Sequence, residues 1–172
     1  MNEIAMLFRR LTSGVYVVGV ADGARRDAFT AAWIMQASFE PLLVTLSVNP
    51  EHASYQLLRA GRGFAVSVLK RGQLDLARRF GTVSGRDVDK LAGVAWRPGR
   101  TGAPVLDDAL AFLDCELTDT HAVGDHVIAV GRVVDGRVLD PDAPPLTYAE
   151  TGDLDGSSAL YPSALRSAGD GA

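Results

Sequence analysis

The chain has 172 residues, of which 47% are hydrophobic and 22% charged, and this composition is typical of one globular domain. Its net charge of −4 argues against nucleic acid as a main partner, because phosphate binding needs clustered lysine and arginine. The single cysteine excludes an intrachain disulfide, and no apolar run reaches the roughly 20 residues that cross a membrane. We therefore expect a cytoplasmic protein that does not enter the membrane.

The chain opens with a predicted helix and two predicted strands. Residues 3–13 place apolar side chains at helical spacing, which predicts a short amphipathic helix. Residues 15–21 are rich in β-branched side chains and predict the first strand, and Asp22-Gly23 is typical of a turn into the next. The second strand is expected from about Asp27 onward.

The middle of the chain alternates predicted strands with predicted helices. Residues 41–48 form an apolar run that predicts a central strand, and residues 63–70 predict another. Residues 52–61 and 72–81 have helical spacing and each ends at a glycine, which is typical of a helix stop. A further short strand is expected near residues 94–98.

The last third of the chain is predicted to be a hairpin followed by a tail. Residues 109–120 and 126–135 alternate apolar and polar side chains, and residues 121–125 fit the connection between them. A turn and a last short strand are expected within residues 137–149, and the composition from Thr151 onward predicts partial disorder. Strands outnumber helices, so the sequence predicts a mainly β fold, an antiparallel barrel with two or three helical insertions.

Motifs for metal, nucleophilic or nucleotide-loop chemistry are not found in the sequence. There is no phosphate loop, dinucleotide fingerprint or nucleophile elbow, and three histidines are too few to predict a metal site. Cys115 lies in an alternating run, which favours a position in a half-buried strand over a nucleophile. If the protein is an enzyme, its reactive chemistry is therefore expected to come from an organic cofactor.

One irregular segment, AFTAAWIMQASFEP at residues 28–41, interrupts the predicted sheet with small, hydroxyl-bearing and aromatic side chains. Such a mixture suits a flat heteroaromatic ring, which needs apolar faces, close backbone approach and hydrogen bonds at its rim. The residues expected to contact the ring are Thr30, Ala31, Ala32, Trp33, Gln36, Ala37 and Ser38. The alternative is a loop whose tryptophan belongs to the core.

A second polar segment, SVNPEHAS at residues 47–54, follows a predicted strand and begins a predicted helix. The start of a helix presents free N–H groups and the positive end of the helix dipole, which suits a phosphate. A ring site and a phosphate site separated by one strand together describe a mononucleotide cofactor.

Four blocks in this order resemble the flavin reductase-like family of FMN-binding split barrels: FTAAWIMQASFEPLLVTLSV, NPEHASYQLLRAGRGFAVSVL, LARRFG and GDHVIAVGRV. The matching region extends from about Phe8 to Tyr148. The resemblance implies an antiparallel split β-barrel over residues 1–150, followed by a partly flexible tail at residues 151–172. It also implies a homodimer in which each flavin lies close to the dimer interface.

The resemblance assigns roles to residues in each block. Residues 30–33 and 36–38 would contact the flavin ring and its ribityl chain. The flavin phosphate would be held by Ser47, Val48, Asn49, His52 and Ser54. The flavin would be enclosed with help from Phe80 and Gly81, and His126, the one predicted catalytic residue, would lie where nicotinamide stacks.

Two positions and one short segment depart from the family pattern. Ala32 stands where asparagine is usual, and Gln36 stands where serine is common. Residues 50–53 contain neither the arginine nor the lysine that many relatives carry there, so phosphate binding would depend on Ser54, backbone N–H groups, His52 or an arginine from elsewhere in the chain.

The function implied by the resemblance is NAD(P)H-dependent reduction of FMN or FAD, by hydride transfer from nicotinamide C4 to flavin N5. Either NADH or NADPH is open as the donor. Reduced flavin would pass to a partner monooxygenase, as in two-component systems. The alternatives are a flavoprotein that retains FMN for electron transfer or for another small substrate, and a dimer that binds a small ligand without turnover.

Overall fold

The structure, a computed structural model, describes residues 2–165 and consists mainly of β-strands. The strands β1 to β9 occupy Tyr16–Asp22, Arg25–Ala31, Ile34–Ser38, Leu43–Val48, Gly63–Val68, Trp96–Pro98, Pro104–Leu106, Ala111–Val123 and His126–Val138. The helices α1 to α3 occupy Glu3–Phe8, Ala53–Gly61 and Leu74–Thr82, and two 3₁₀ helices occupy Tyr148–Thr151 and Ser157–Ala159. α1 is shorter than the predicted helix over residues 3–13.

Seven of the strands form one sheet in the order β2–β1–β5–β8–β9–β4–β3, and every neighbouring pair is antiparallel. β2 and β3 are consecutive in the chain but lie at opposite edges of this sheet, and only Ala32 and Trp33 connect them. We call the opening between these two edges, which do not pair in the described part of the chain, the split. The predicted mainly β, antiparallel fold with helical insertions is confirmed, and its sheet is not closed.

Two predictions about individual strands are wrong. β4 is not central but lies next to the edge strand β3, and its buried residues alternate with half-buried ones. Leu42, an apolar residue of the predicted run, lies before the strand and is 44% exposed. In place of a last strand within residues 137–149, the structure has isolated bridges at Pro145 and Thr147, in a stretch whose prolines cannot donate to a ladder.

Helix α2 packs against β1, β2 and β5, at one end of the sheet, and completes the larger core. Its buried residues Tyr55 and Leu58 pack in a cluster that includes Val18. Gly61 ends the helix against β1, where any side chain would overlap the carbonyl group of Ala21. Glycine therefore allows the close approach between helix and strand on which this packing depends.

Helix α3 closes a second core on the side of β2. Ala77 and Phe80 are fully buried in a cluster that includes Val15, Leu69 and Leu146. A fully buried side chain of the size of Phe80 or Leu69 stabilises the fold by about 1.5–3 kcal/mol. Because Phe80 fills this core, it is a packing residue of α3.

Residues 147–162, which we call the C-terminal segment, pack against α1. The segment begins with a capping box in which Thr147 and Glu150 exchange hydrogen bonds between side chain and backbone. Arg9 forms an ion pair with Asp153 at 3.2 Å, and the ring of Phe8 stacks on a second aromatic ring, that of the tyrosine at position 161, at 5.5 Å. Partial flexibility of residues 151–172 stays a prediction, and residues 166–172 of that tail lie outside the described residues.

Candidate functional site

The structure has an open cleft of about 300 Å³ at the split. The ends of β2 and β4, the starts of β3, β9 and α2, one side of α3 and the C-terminal segment surround it. Its lining residues are Val15, Phe29, Thr30, Ala31, Ala32, Trp33, Ser47, Val48, Asn49, His52, Ala77, Gly81, Thr82, His126, Tyr148, Thr151, Leu154, Asp155, Ser157 and Leu160. Most of the residues predicted from the sequence as a binding site therefore meet here.

Residues 30–33 form the wall where the chain leaves β2 and crosses to β3. The Thr30 hydroxyl donates a hydrogen bond to the carbonyl oxygen of Ala77 at 2.8 Å, so this side chain ties β2 to α3. The Trp33 side chain is 51% exposed, which makes it a wall of the cleft and not a core residue. Gly81 of α3 lies close to Thr30, because a Cβ added to this glycine would lie 3.2 Å from the Cβ of Thr30.

His126 reaches the cleft from the β8–β9 hairpin, where it pairs with Val123 across the turn. Its Nδ1 lies 2.7 Å from Oδ1 of Asp125, and its ring centroid is 5.0 Å from that of Trp33. The hydrogen bond to this imidazole lowers the pKa of the Asp125 carboxyl group. The carboxylate thus fixes the ring beside Trp33, as carboxylates commonly orient histidine.

The segment between β4 and α2 forms a polar end of the cleft. The Asn49 side chain accepts a hydrogen bond from the backbone N–H of Glu51 at 2.9 Å, which shapes the turn into α2. His52 is the N-cap residue of α2, so the free N–H groups of the first helical turn lie next to its side chain. Partial desolvation lowers the pKa of His52, and the positive charges of Lys90 and His126 lower it further.

Ser54 does not line the cleft, although the sequence predicts it as a phosphate ligand. It is buried, and its hydroxyl donates to Oδ2 of Asp27 at 2.6 Å. Oδ1 of that carboxylate lies 3.2 Å from Nζ of Lys90, and both side chains of this ion pair are buried. The hydroxyl therefore anchors the first turn of α2 to β2 and is directed to a buried acceptor.

Four other predicted site residues also lie outside the cleft. Gln36 and Ala37 are exposed on β3, Ser38 is half-buried at its end, and the Gln36 amide donates to the carbonyl of Ser38. These residues lie further along β3 than Trp33, which directly precedes the strand and lines the cleft. Phe80 is fully buried in the core under α3, one residue before Gly81.

The C-terminal segment contributes a wall of the cleft that was not predicted from the sequence. The Tyr148 hydroxyl lies 3.1 Å from Oδ2 of Asp155 and 2.9 Å from Oγ of Ser157, and these three side chains face the cleft together. Burial raises the pKa of Tyr148. The signal in the sequence was the TYAE motif at residues 147–150, whose Thr-x-x-Glu spacing predicts a capping box.

Other lining residues missed from the sequence are apolar or short side chains of neighbouring elements: Val15, Phe29, Ala77 and Thr82. In the described part of the chain, no group of three or more histidine, cysteine, aspartate or glutamate side chains could hold a metal ion. Among residues 2–165, no helix is long and apolar enough to span a bilayer. Cys115 is fully buried, and burial raises the pKa of its thiol to about 12, as expected of a packing residue.

Residues 8–155 match the family described as flavin reductase like domain. The chain belongs to the flavin reductase-like family. High molecular weight rubredoxin of Moorella thermoacetica is 36% identical over 141 residues, which are 81% of this chain and 61% of that protein. The chain thus spans less than two thirds of this curated relative, and about a quarter of the diflavin flavoproteins that it also matches.

Solved structures of this family share the fold. The NADH:FAD oxidoreductase SgcE6 of Streptomyces globisporus C-1027 has a TM-score of 0.79 and 32% identity, over 86% of this chain and 88% of that one. Nitrilotriacetate monooxygenase component B of Mycobacterium thermoresistibile has a TM-score of 0.75 and 29% identity, over 84% of this chain and 82% of that one. The suspected resemblance to flavin reductases is therefore confirmed.

The cleft residues fit a flavin. The wall at residues 30–33 combines small side chains with one half-exposed aromatic ring, as a flat heteroaromatic ring requires. The start of α2 offers free N–H groups and the positive end of the helix dipole for a phosphate, and His52 lies beside them. Ala32 lines the cleft without a polar side chain, so hydrogen bonds from this position come from its backbone.

Proposed function

We propose that this chain is an NAD(P)H:flavin oxidoreductase that reduces FMN or FAD in the cleft at the split. The observation that carries the proposal is that residues 30–33, His52 and His126 converge on one cleft. Similarity to an NADH:FAD oxidoreductase over most of both chains supports the reaction. A cytoplasmic location, expected from the sequence, stays a prediction.

Different residues of the cleft bind different parts of the flavin. Residues 30–33 hold and orient the flavin ring, and the start of α2 with His52 holds the flavin phosphate. When bound, a flavin supplies an acceptor at N5 for the hydride of a reduced nicotinamide. The chain orients the two rings, because rings held in contact react faster than rings that meet freely in solution. It also excludes water from the space between them.

His126 has the role of positioning the nicotinamide. When its Nδ1 donates to Asp125, its Nε2 is left as a hydrogen-bond acceptor beside Trp33. Such an acceptor suits the amide N–H groups of a nicotinamide carboxamide. We expect His126→Ala to raise the KM for the nicotinamide more than it lowers flavin affinity, measured by steady-state kinetics and flavin titration.

The reaction is tested by mixing the purified protein with FMN and NADH or NADPH under anaerobic conditions. The flavin absorbance should bleach far faster than in a sample without protein. A parallel assay with FAD determines which flavin is used. If neither nicotinamide bleaches either flavin, the proposed function is wrong.

The place of the flavin is tested with the two tryptophans of the chain. Trp33 lines the cleft, whereas Trp96 lies in β6 under the guanidinium group of Arg26 and does not line it. We expect added flavin to quench the fluorescence of Trp96→Phe, which retains Trp33, much more than that of Trp33→Phe. Equal quenching in both variants would contradict the assignment of the cleft.

We further propose that the reduced flavin leaves this protein for a partner monooxygenase. Similarity to a monooxygenase component B supports this role. The test places the protein with FMN and NADH on one side of a dialysis membrane and an electron acceptor, cytochrome c, on the other. Reduction of the acceptor at the rate of flavin diffusion supports release, and its absence while NADH is consumed contradicts it.

We also propose a homodimer built on the edge strand β3. This strand has a neighbour on one side only, and the side chains of Met35 and Phe39 are 65% and 86% exposed. Exposed apolar residues on a sheet edge favour association, and a two-fold axis pairs a patch with its own copy. Light scattering should give a dimer for the native chain and Leu11→Ser, and a monomer for Phe39→Ser; a monomeric native chain would rule out this interface.

A second candidate function is electron transfer by a flavin that stays bound. It is favoured by the similarity to a high molecular weight rubredoxin, of which this chain spans only a part. In that case the protein should purify with a yellow cofactor that survives dialysis. A non-catalytic ligand-binding dimer, in contrast, would quench with flavin but leave NADH unoxidised.

A further inference from the structure

The cleft has different charge at its two ends. Among the described residues that line it, Asp155 is the one carboxylate, and neither lysine nor arginine is present. At the other end, the free N–H groups and the positive dipole end of α2 lie next to its N-cap residue His52. The cleft therefore has an electropositive end at α2 and an anionic end at the C-terminal segment.

The electropositive end already serves the flavin phosphate in the function proposed above. At the anionic end, the charges of Asp155 and Arg9 both act on Tyr148, but the Arg9 guanidinium group lies over the Tyr148 ring at 5.4 Å and is already paired with Asp153. A second phosphate there would meet the Asp155 carboxylate with neither lysine nor arginine among the described lining residues. An uncharged ribose would meet a carboxylate and two hydroxyl groups, those of Tyr148 and Ser157.

We propose that Asp155 makes this cleft selective for NADH over NADPH. The proposal rests on the proposed function, because it concerns the donor in that reaction. The two nicotinamides differ by a 2′-phosphate on the adenosine ribose. A ribose 2′-hydroxyl can donate a hydrogen bond to a carboxylate, whereas a phosphate dianion is repelled by it.

The contacts of Asp155 allow it to select between the two nicotinamides. They also allow an alternative role, in which the side chain only shapes the turn. The Asp155 Oδ1 accepts the backbone N–H of Ser157 at 3.0 Å, while Oδ2 is bonded to the Tyr148 hydroxyl at 3.1 Å. The residue is exposed to solvent, so its charge needs no buried partner to persist. If it only shaped the turn, replacing it by an amide of the same size would leave the choice between the two donors unchanged.

The experiment measures kcat/KM for NADH and for NADPH at saturating FMN, and the affinities of NAD⁺ and NADP⁺ by calorimetry. The native chain should prefer NADH by about tenfold, the ratio that corresponds to a like-charge repulsion of about 1.4 kcal/mol. Asp155→Asn should reduce this preference about fivefold or more, mainly by lowering the KM for NADPH and tightening NADP⁺. Asp155→Glu, which retains the charge, should keep the preference.

Asp142→Asn is the matched control, because it removes the same charge from an exposed residue outside the cleft. This variant should keep the native preference. The inference is wrong if the native chain prefers NADPH, or if Asp155→Asn leaves the ratio of kcat/KM for NADH to kcat/KM for NADPH unchanged; the flavin reductase function stands in either case. If neither nicotinamide is oxidised, both the inference and the proposed function are wrong. If Asp155→Asn does not fold, Asp155→Ser with the same two measurements decides the question.

Discussion

Replacement of Lys90 by methionine should destabilise the fold more than the loss of any surface charge. Nζ of Lys90 lies 3.2 Å from Oδ1 of Asp27, and the two side chains are 4% and 9% exposed. At an effective dielectric constant of about 20, Coulomb's law gives an attraction of about 5 kcal/mol for this separation. Without the lysine, the carboxylate stays buried and unpaired, and we expect a loss of about 3–5 kcal/mol in the free energy of unfolding.

The assay is urea unfolding followed by circular dichroism, with the double variant Asp27→Asn/Lys90→Met to close a thermodynamic cycle. The double variant should recover part of the loss, because an amide can still accept from Ser54 without carrying a charge. Lys70→Met is the control, since Lys70 pairs with Asp108 and Asp140 near the surface and should matter less. Equal losses for the two lysine variants would refute the reasoning.

Further predictions follow from the core and from the cleft. Cys115 should resist alkylation by iodoacetamide at pH 8 until the protein is unfolded, because burial raises its pKa to about 12; rapid labelling of the native protein would contradict this. Gly131→Ala should cost about 1–3 kcal/mol in urea unfolding, because the new Cβ would lie 2.5 Å from Cζ of Phe64; unchanged stability would show that the ring yields. His52 should titrate below its ordinary value of 6.5 in NMR spectra, so unfolding takes up protons there and stability falls as pH drops through this window. Added FMN should raise this pKa through its phosphate, and no change would place the phosphate elsewhere.

The elements that the sequence predicts correctly depend on neighbours in the chain. Helices α2 and α3 follow from apolar spacing within ten residues and a glycine near the end of each. The β8–β9 hairpin follows from two alternating runs around Gly124, which has the positive φ of 59° that a tight turn requires. Such local patterns predict the structure correctly where the tertiary contacts favour the same conformation.

The candidate site was predictable in position but not in every side chain. Residues 30–33 and His126 line the cleft because they lie at ends of strands beside the split. Ser54 lies in the predicted segment, yet its hydroxyl is bonded to Asp27, which is 27 positions earlier in the chain. A pattern of residue types cannot tell which of two acceptors a hydroxyl will meet, because that choice depends on packing between distant strands.

The wall formed by the C-terminal segment depends on contacts that composition does not describe. Its glycine, serine and aspartate residues contribute little apolar surface, which is why the sequence predicts partial disorder from Thr151 onward. Arg9 and Asp153, which are 144 positions apart, form an ion pair, and Tyr148 and Ser157 are bonded at the cleft. No local window of sequence contains the contact with Arg9.

The packing of the C-terminal segment on α1 brings the two ends of the described chain together. The Asn2 amide donates to the carbonyl oxygen of Pro162 at 2.9 Å, across 160 positions of sequence. Chain that leaves Asn2 and chain that leaves Pro162 therefore start from nearly the same point of the surface. Partners attached before the one or after the other would begin at the same place, so their effective concentrations there would differ only through linker length and stiffness.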